Sequence, residues 1–420
     1  MKVMLLTQVL PYPPDSGPKV KTYNVLKYLA QHHDVTLVSF VRGDQSRDIA
    51  HLQKYCRAIH VVPMERGAVK DGLAMARSLA TRQPWMMVRD DRAAMRLVVD
   101  KLARETRFDV AHADQLNMGQ YAARVTQARK IMDAHNALWL LYKRLAETMP
   151  AGPRRLLLDR DWKLLKTYEG RICREFDAVL AVSEEDKRAL LDAMGEPASV
   201  TAKQRLQTQT VHGSSLPLAT GVGRDKFTVI PIAVDGDETR PVVRDASADH
   251  ILHIGTMFWP PNIDGVKWFI HDVLPIIRKQ KPSIVFDVVG ARPPQELLDL
   301  SKTDPTINVT GYVDDPQPFL QTAGVLVVPL RAGGGMRVKI LNAMAQALPI
   351  VTTTLGCEGI AVESGKHVLI ADSPADFAAA VLRVLDDPAL GATLGHNGRA
   401  LIDSVYDYRA ACLPMEAAYR

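Results

Sequence analysis

The sequence predicts an α/β protein that consists of two doubly wound parallel-sheet domains. The first observation is length, because 420 residues are too many for a single hydrophobic core and are typical of two domains. The second is that short runs rich in valine, isoleucine and leucine alternate with segments of helical length. The third is that these runs are apolar on both faces, as parallel strands are when helices cover both sides of a sheet.

The strand-like runs fall into two groups along the chain. Seven form the first group: residues 2–8, 33–40, 58–64, 108–113, 130–136, 176–183 and 227–235. Six form the second: residues 251–255, 284–290, 307–313, 324–330, 349–354 and 367–372. Residues 235–250 between them are polar and without periodicity, which predicts a linker and a domain boundary near residue 240. Residues 195–226 are also irregular and long for a loop, and a mobile segment and part of a binding surface are the alternatives for them.

Composition excludes several classes of function. A net charge of +5, from 52 Lys and Arg against 47 Asp and Glu, argues against a nucleic-acid binder and an acidic tail. The four cysteines stand far apart with no CxxC pair, as expected of a reduced cytoplasmic protein. No stretch of 18 unbroken apolar residues occurs, so no segment is predicted to span a bilayer.

Three glycines in a row, Gly333 to Gly335, follow the apolar run 324–330 and precede a helical pattern with two cations, Arg337 and Lys339. In an open α/β sheet, ligands bind where such loops lead from a strand end into a helix N-terminus. Glycines let the backbone approach a ligand, and free N–H groups and cations attract anions, so the segment predicts a phosphate site. The alternative is a tight turn with solvated cations. A helix from about Met336 would place one polar side toward a ligand: Lys339, Asn342 and Gln346.

Residues 309–351, "VTGYVDDPQPFLQTAGVLVVPLRAGGGMRVKILNAMAQALPIV", and the following "GCEGIAV" resemble the donor half of the GT-B glycosyltransferases of family 4. Four further stretches resemble the same group of bacterial sugar transferases: residues 11–40, 133–147, 176–190 and 254–269. The resemblance implies the GT-B fold, in which two Rossmann-like domains face each other across a cleft. It implies an acceptor domain over 1–240, a donor domain over 241–400 and a C-terminal helix over 401–420 that crosses back to the first domain.

The activity that the resemblance implies is transfer of a sugar, with retention of configuration, from a UDP-sugar or GDP-sugar to a hydroxyl acceptor. The acceptor would be a glycan, a lipid-linked sugar or a small molecule in polysaccharide, glycolipid or glycoconjugate biosynthesis. No cofactor and no metal ion are implied. Asp235 to Asp237 fit the Asp-x-Asp pattern of metal-dependent enzymes of another fold, but they lie in the linker and are interpreted as a turn.

The resemblance also assigns roles to individual residues. The residues that would bind the donor diphosphate are Gly333, Gly334, Gly335, Met336, Arg337 and Lys339. His135, after the run 130–136, would contact the donor sugar, although a lone histidine after a strand is more often an ordinary polar residue. His135, Arg337 and Lys339 are therefore the candidate catalytic residues. The other donor contacts are Gly17 in the first-strand loop, Thr256 near the phosphates, and Tyr312 and Val313 at the nucleobase; for Gly17 a plain surface loop is the alternative.

Two positions depart from the family pattern. Family members usually carry a pair of glutamates eight residues apart, and here Gly334 and Asn342 stand in those places. An asparagine still accepts one hydrogen bond and donates another, so ribose binding is expected to survive. The change nevertheless leaves an inactive nucleotide-sugar-binding scaffold as the second hypothesis. A nucleotide-sugar epimerase is the third, and Gly334 removes its nearest acid or base.

Residues 153–176 form an amphipathic helical pattern with seven Lys or Arg against four Asp or Glu. Such a helix fits peripheral contact with the anionic inner face of a membrane, and packing against its own domain is the commoner alternative.

Nothing in the "TQVLPYPP" stretch after the first strand offers the histidine or carboxylate base that an inverting enzyme would need. Retention by front-face transfer is therefore the predicted mechanism.

Overall fold

The computed structural model describes residues 1–195, 226–245 and 248–420, so the irregular stretch after residue 195 lies almost wholly outside the described residues. The chain divides into two compact units. The first comprises residues 1–231 and 412–420, and the second comprises residues 232–411. Each unit is built on one parallel sheet with helices packed against it, which confirms the predicted fold class.

The first unit contains a seven-stranded sheet in the order β3-β2-β1-β4-β5-β6-β7. Its strands are β1 Lys2–Thr7, β2 Asp34–Val41, β3 Ala58–Pro63, β4 Val110–Asp114, β5 Arg129–Ala134, β6 Ala178–Ala181 and β7 Phe227–Val229. Its helices before residue 195 are α1 Gly17–His32, α2 Ser46–Leu52, α3 Ala68–Thr81, α4 Trp85–Asp90, α5 Ala93–Glu105, α6 Leu116–Ala122, α7 Leu138–Thr148, α8 Pro153–Glu175 and α9 Glu184–Ala193.

The second unit contains a six-stranded sheet in the order β10-β9-β8-β11-β12-β13. Its strands are β8 His250–Ile254, β9 Phe286–Val289, β10 Ile307–Gly311, β11 Ala323–Val328, β12 Ile350–Thr352 and β13 Leu369–Ile370. Its helices are α10 Pro260–Trp268, α11 Leu274–Arg278, α12 Gln295–Thr303, α13 Gln317–Thr322, α14 Val338–Ala345, α15 Pro374–Asp386, α16 Pro388–Leu401 and α17 Tyr408–Cys412. Two π-helical turns, Phe269–Val273 and Ile402–Tyr406, join α10 to α11 and follow α16.

Both faces of the central strands are buried, because each sheet lies between two layers of helices. β1 is buried at every position from Val3 to Thr7, and β11 is buried along its whole length. All pairings within the two sheets are parallel, so the carboxyl ends of the strands in each sheet meet at one edge. That edge holds the residues considered below.

The last residues of the chain pack on the first unit. In helix α18, Met415–Tyr419, the Tyr419 hydroxyl lies 2.6 Å from His112 Nδ1, and the Arg129 Nε–H donates to the carbonyl of Ala418 at 2.7 Å. Glu416 Oε1 lies 3.0 Å from His33 Nε2. The predicted return of the C-terminal helix to the first unit is confirmed, and the returning segment begins at Cys412.

Helix α8 covers the predicted amphipathic segment and packs its apolar side inward. Leu165, Tyr168 and Ile172 are buried in the core of the first unit, whereas Leu156 and Leu157 in its first two turns are exposed. The structure thus shows the packed alternative for most of this helix. None of the helices in the described ranges is both long and apolar enough to cross a bilayer.

Gly170 fixes the contact between α8 and α9, and we expect that Gly170→Ala destabilises the protein. A Cβ atom there would lie 2.0 Å from the carbonyl oxygen of Ala193, which is backbone and cannot rotate away. The resulting overpacking costs about 1–3 kcal/mol of unfolding free energy and outweighs the better helix propensity of alanine. Gly72→Ala is the matched control, because Gly72 is also helical and no atom lies within 4 Å of its added Cβ. Denaturant unfolding should show a loss for the first variant and a small gain for the control; equal stabilities would contradict the expectation.

Candidate active site

The glycine loop joins β11 to α14 at the carboxyl edge of the second sheet. Gly333 and Gly335 have φ values of 104° and 83°, which glycine adopts without strain. Helix α14 begins at Val338, two residues later than predicted, and Arg337 is its cap residue. The side chain of Met336 is buried and its sulfur accepts the N–H of Ile232 at 3.4 Å, so Met336 offers a ligand only its backbone.

Two cations stand at the start of α14. Arg337 Nη1 donates to the carbonyl of Gly334, which ties the guanidinium to the loop. Lys339 Nζ donates to the amide oxygen of Asn262 at 3.0 Å, and no carboxylate contacts it among the described residues. Free helix N–H groups and two cations next to glycines make this end of the unit attractive to a diphosphate.

Lys339 is unusual because its amine is withdrawn from water beside another cation. Burial, and then the charge of Arg337, lower the pKa of Lys339 to about 7. The neighbouring His253 donates from Nδ1 to the carbonyl of Val327 at 3.0 Å, and burial together with Lys339 lowers its pKa well below the usual value. His253 is therefore neutral and adds no further positive charge beside Lys339.

Gly255 and Thr256, which follow β8, approach the same group. A Cβ atom on Gly255 would lie 2.5 Å from Lys339 Nζ, so the lysine occupies the space that a side chain would fill. The carbonyl of Thr256 accepts the Nδ2–H of Asn262 at 2.8 Å, and Asn262 in turn holds Lys339. The structure thus brings predicted residue Thr256 to the glycine loop through Asn262.

The residues predicted at the nucleoside are all at least partly exposed. Tyr312 follows β10 and is 74% exposed, so its ring is available for stacking, and Val313 is half-buried beside it. Asn342 is exposed and lines a cavity of ≈ 590 Å³ with Gln346, α13 and linker residues 238–243. Tyr312 and Val313 do not line that cavity.

His135 lies at the carboxyl end of β5 in the first unit and is buried. Its Nε2 lies 2.9 Å from Asp114 Oδ1, at the end of β4. A carboxylate accepts hydrogen bonds, so this contact assigns the proton of a neutral imidazole to Nε2 and leaves the lone pair on Nδ1. Nδ1 is buried without a hydrogen-bond partner in the described parts of the chain. His135 is thus oriented to accept a hydrogen bond from a ligand hydroxyl.

Asp114, Asp133 and His135 offer atoms within 4.8 Å of one another, which is a spacing that can hold a metal ion. The ammonium group of Lys21, however, lies 2.5 Å from Asp133 Oδ1 and already neutralises that carboxylate. Burial by itself would raise the pKa of Asp133, but Lys21 and His112 reverse this and hold the pKa below its usual range. The carboxylate of Asp133 is therefore already paired with a cation of the protein.

Gly17 is the first residue of α1, after the loop that follows β1. Nearby Lys19 pairs with exposed Asp15 at 3.1 Å, so its charge is directed to the loop itself.

In the linker, the Asp235 carboxylate accepts hydrogen bonds from the N–H groups of Asp237 and Glu238 at 2.9 and 3.2 Å. These bonds form the predicted turn.

Comparison with known proteins places this geometry in a family. The model described as Glycosyltransferase Family 4 matches residues 16–202, and the model described as Glycosyl transferases group 1 matches residues 248–387. The chain is a family 4 glycosyltransferase. The resemblance predicted from the glycine loop is confirmed, and with it a retaining, metal-independent transfer of a sugar from a nucleotide sugar.

Several relatives resemble this glycosyltransferase over different lengths. An uncharacterized 44.6 kDa protein in the cps region of Klebsiella pneumoniae is 19% identical over 415 residues, 97% of this chain and 96% of that protein. The capsular polysaccharide biosynthesis glycosyltransferase CapM of Staphylococcus aureus is 25% identical over 146 residues, 31% of this chain and 36% of CapM. HepE of Anabaena, solved in complex with UDP, has a TM-score of 0.66 at 14% identity and covers 99% of both chains, which shows a shared fold.

Three residues of the glycosyltransferase's site were not predicted from the sequence: Asn262, Asp114 and Lys21. Asn262 lies 77 positions before the lysine that it holds, and Asp114 lies 21 positions before His135. No local motif connects such pairs. A signal was present in the polar residues that end otherwise apolar strands, as in "VAHAD" and "KIMDAH".

The lowered pKa of Lys339 predicts pH-dependent donor binding. The amine is charged below about pH 7 and loses its proton above it, so affinity for a diphosphate is highest at low pH and falls as the pH rises. Between pH 6 and pH 8 we expect UDP-glucose, whose diphosphate does not titrate there, to bind up to about tenfold more weakly by calorimetry. In Lys339→Met the dependence should disappear. A wild-type affinity that stays constant over this range would contradict the expectation.

Proposed function

We propose that this glycosyltransferase transfers a sugar from a UDP-sugar to a hydroxyl group of a polysaccharide or of its lipid-linked precursor. The observation that carries the proposal is the group formed by the Gly333 to Gly335 loop, Arg337 and Lys339. Lys339 is desolvated, hydrogen-bonded only to the amide of Asn262 and opposed by no carboxylate among the described residues, so it favours an anionic ligand. The diphosphate of the donor is the anion that the family's reaction supplies.

UDP is the proposed carrier because HepE, which shares the fold, has been solved with UDP and with UDP-glucose. Polysaccharide assembly is proposed because CapM carries that description and because the relative from Klebsiella pneumoniae belongs to a cps region. Location in the cytoplasm and contact with the inner face of a membrane stay predictions of the sequence.

The proposed reaction needs positioning and electrostatics rather than a covalent nucleophile. The bond from the anomeric carbon to the diphosphate oxygen breaks, and a bond to the acceptor oxygen forms on the same face of the sugar. The acceptor proton passes to the leaving diphosphate. Arg337, Lys339 and the loop amides offset the negative charge that develops on that group.

We assign His135 a positioning contact with a sugar hydroxyl. Its Nδ1 lone pair accepts a hydrogen bond from the hydroxyl group, and Asp114 holds the ring through Nε2. Tyr312 and Val313 are assigned to the nucleobase and Asn342 to the ribose, with Thr256 and Gly17 near the phosphates. These assignments follow the family pattern position by position.

Thermal shift with UDP and UDP-glucose, and with GDP and GDP-mannose for comparison, tests the donor assignment. A bound uridine nucleotide raises the melting temperature by mass action. Arg337→Gln should weaken its binding roughly tenfold to hundredfold, because charge-assisted hydrogen bonds are worth about 1.5–3 kcal/mol. Arg331→Gln is the matched control, since Arg331 is in the same loop but its guanidinium pairs with exposed Asp264 at 2.7 Å. No shift with any of the four nucleotides would overturn the proposal.

The effect of Asn342 separates an enzyme from an inactive scaffold. Asn342→Glu should strengthen UDP binding about threefold to tenfold, because a carboxylate accepts hydrogen bonds from both ribose hydroxyls. Gln321→Glu adds the same charge to the wall of the same cavity from α13 and should leave binding unchanged. Release of UDP from UDP-sugars with a polysaccharide precursor as acceptor measures turnover. Binding without turnover in wild type and in Asn342→Glu would favour the scaffold.

A further inference from the structure

The first unit contains a cavity in which only His135 has a role assigned above. It has a volume of ≈ 280 Å³ and its wall includes His135 and Asn136. Five adjacent strands each contribute one polar residue from just beyond their carboxyl ends. In the order of the sheet these are Arg66, Arg42, Gln8, Gln115 and His135. The cavity therefore occupies the edge where ligands of open α/β sheets bind.

The cavity wall is strongly cationic. Arg42, Arg66 and Arg89 line it, and no carboxylate is among its lining residues in the described ranges. Burial lowers the pKa of Arg66, and the positive charges of Arg89 and Arg42 lower it further against the opposing effect of Asp90 and Asp71. Arg66 is therefore close enough to both Arg42 and Arg89 to be repelled by them.

A single buried carboxylate beneath the wall holds two of the arginines in place. Asp90, 1% exposed, accepts hydrogen bonds from Arg89 Nε at 2.9 Å and from Arg66 Nη2 at 3.1 Å. It also accepts from Gln8 and Asn117 at 2.8 and 3.1 Å, so its capacity is used. Arg42 makes no contact with Asp90; its Nη2 lies 3.9 Å from Met64 Sδ. Arg66 and Arg89 are thus paired with a carboxylate and Arg42 has no carboxylate partner among the described residues, so the wall keeps a net positive charge.

Gln115 gives an independent sign of a binding function. It lines the cavity with φ 72° and ψ 157°, a backbone conformation that a side-chain-bearing residue adopts only at a cost of about 1–3 kcal/mol. Its N–H is held by the carbonyl of Asp133 at 2.9 Å. Such strain is typically retained where a side chain must be aimed at a ligand.

We infer that this cavity binds the acceptor through a phosphate group, so that the acceptor is a sugar phosphate or a sugar carried on a lipid diphosphate. The inference rests on the proposed function for the meaning of acceptor. A phosphate group would offset the net positive charge of the three guanidiniums, whereas a neutral glycan would leave Arg42 without an anionic partner. Gln8, Gln115 and Asn136 supply neutral hydrogen-bonding groups for the attached sugar.

Calorimetry on the full chain with saturating UDP tests this inference, because UDP occupies the diphosphate loop of the second unit. Glucose 1-phosphate represents a soluble sugar phosphate, farnesyl diphosphate a lipid diphosphate, and glucose a neutral sugar. We expect at least one of the two phosphate probes to bind and glucose not to bind. Binding of farnesyl diphosphate alone identifies a lipid-carried acceptor, and binding of glucose 1-phosphate alone identifies a soluble one.

Arg66→Gln and Arg42→Gln should each weaken the phosphate probe at least tenfold, and Arg107→Gln should not. Arg107 is exposed and precedes β4, at the opposite edge of the sheet. Arg42 has no bond to Asp90, so Arg42→Gln tests the site even if Arg66→Gln fails to fold. Equal affinities in all three variants, or no binding of either phosphate probe, would overturn the inference. UDP affinity should be unchanged in these variants, and a wild type that does not bind UDP would instead overturn the proposed function.

Discussion

A cation withdrawn from water needs a negative partner, and this constraint separates structural from functional charges in the protein. Lys21 is almost wholly buried and has such a partner in Asp133, which joins α1 to β5 and supports the end of the strand that carries His135. Among the described residues, Lys339 is held only by the amide oxygen of Asn262. Lys21 therefore has a carboxylate partner within the protein, whereas the proposed partner of Lys339 is a bound anion.

The parallel sheets bring charged residues together at the carboxyl ends of their strands. Because all strands of a sheet end at the same edge, residues that are distant in sequence come together there. In the second unit, glycines after β8 and β11 leave room for Lys339 and for a phosphate against the backbone. In the first unit, five strand ends surround a cavity lined by three arginines, and Asp90 orients two of them, Arg66 and Arg89. Both edges thus present preorganised positive charge, as expected of an enzyme that binds phosphate groups mainly through electrostatic attraction.

The surroundings of Gly334 and Asn342 are compatible with the loss of the usual glutamate pair. Gly334 provides its carbonyl to Arg337, so that position serves the loop through its backbone. Asn342 is exposed on α14 and does not pack in the core. A change of charge at this position therefore does not disturb core packing. In the proposed diphosphate site, cations and helix amides would therefore provide most of the attraction.

The sequence by itself determined the thirteen strands, their parallel arrangement, the family and the glycine loop with Arg337 and Lys339. These features are local, since apolar periodicity, turn residues and a strand-loop-helix motif lie within short windows of the chain. Only the tertiary structure decided which side chains meet. Asn262 reaches Lys339, Asp114 orients His135, and Arg42, Arg66 and Arg89 share one cavity, because the order of strands in a sheet is independent of their order in the chain. The depressed pKa of Lys339 depends on burial in the same way, and burial is a property of packing and not of sequence.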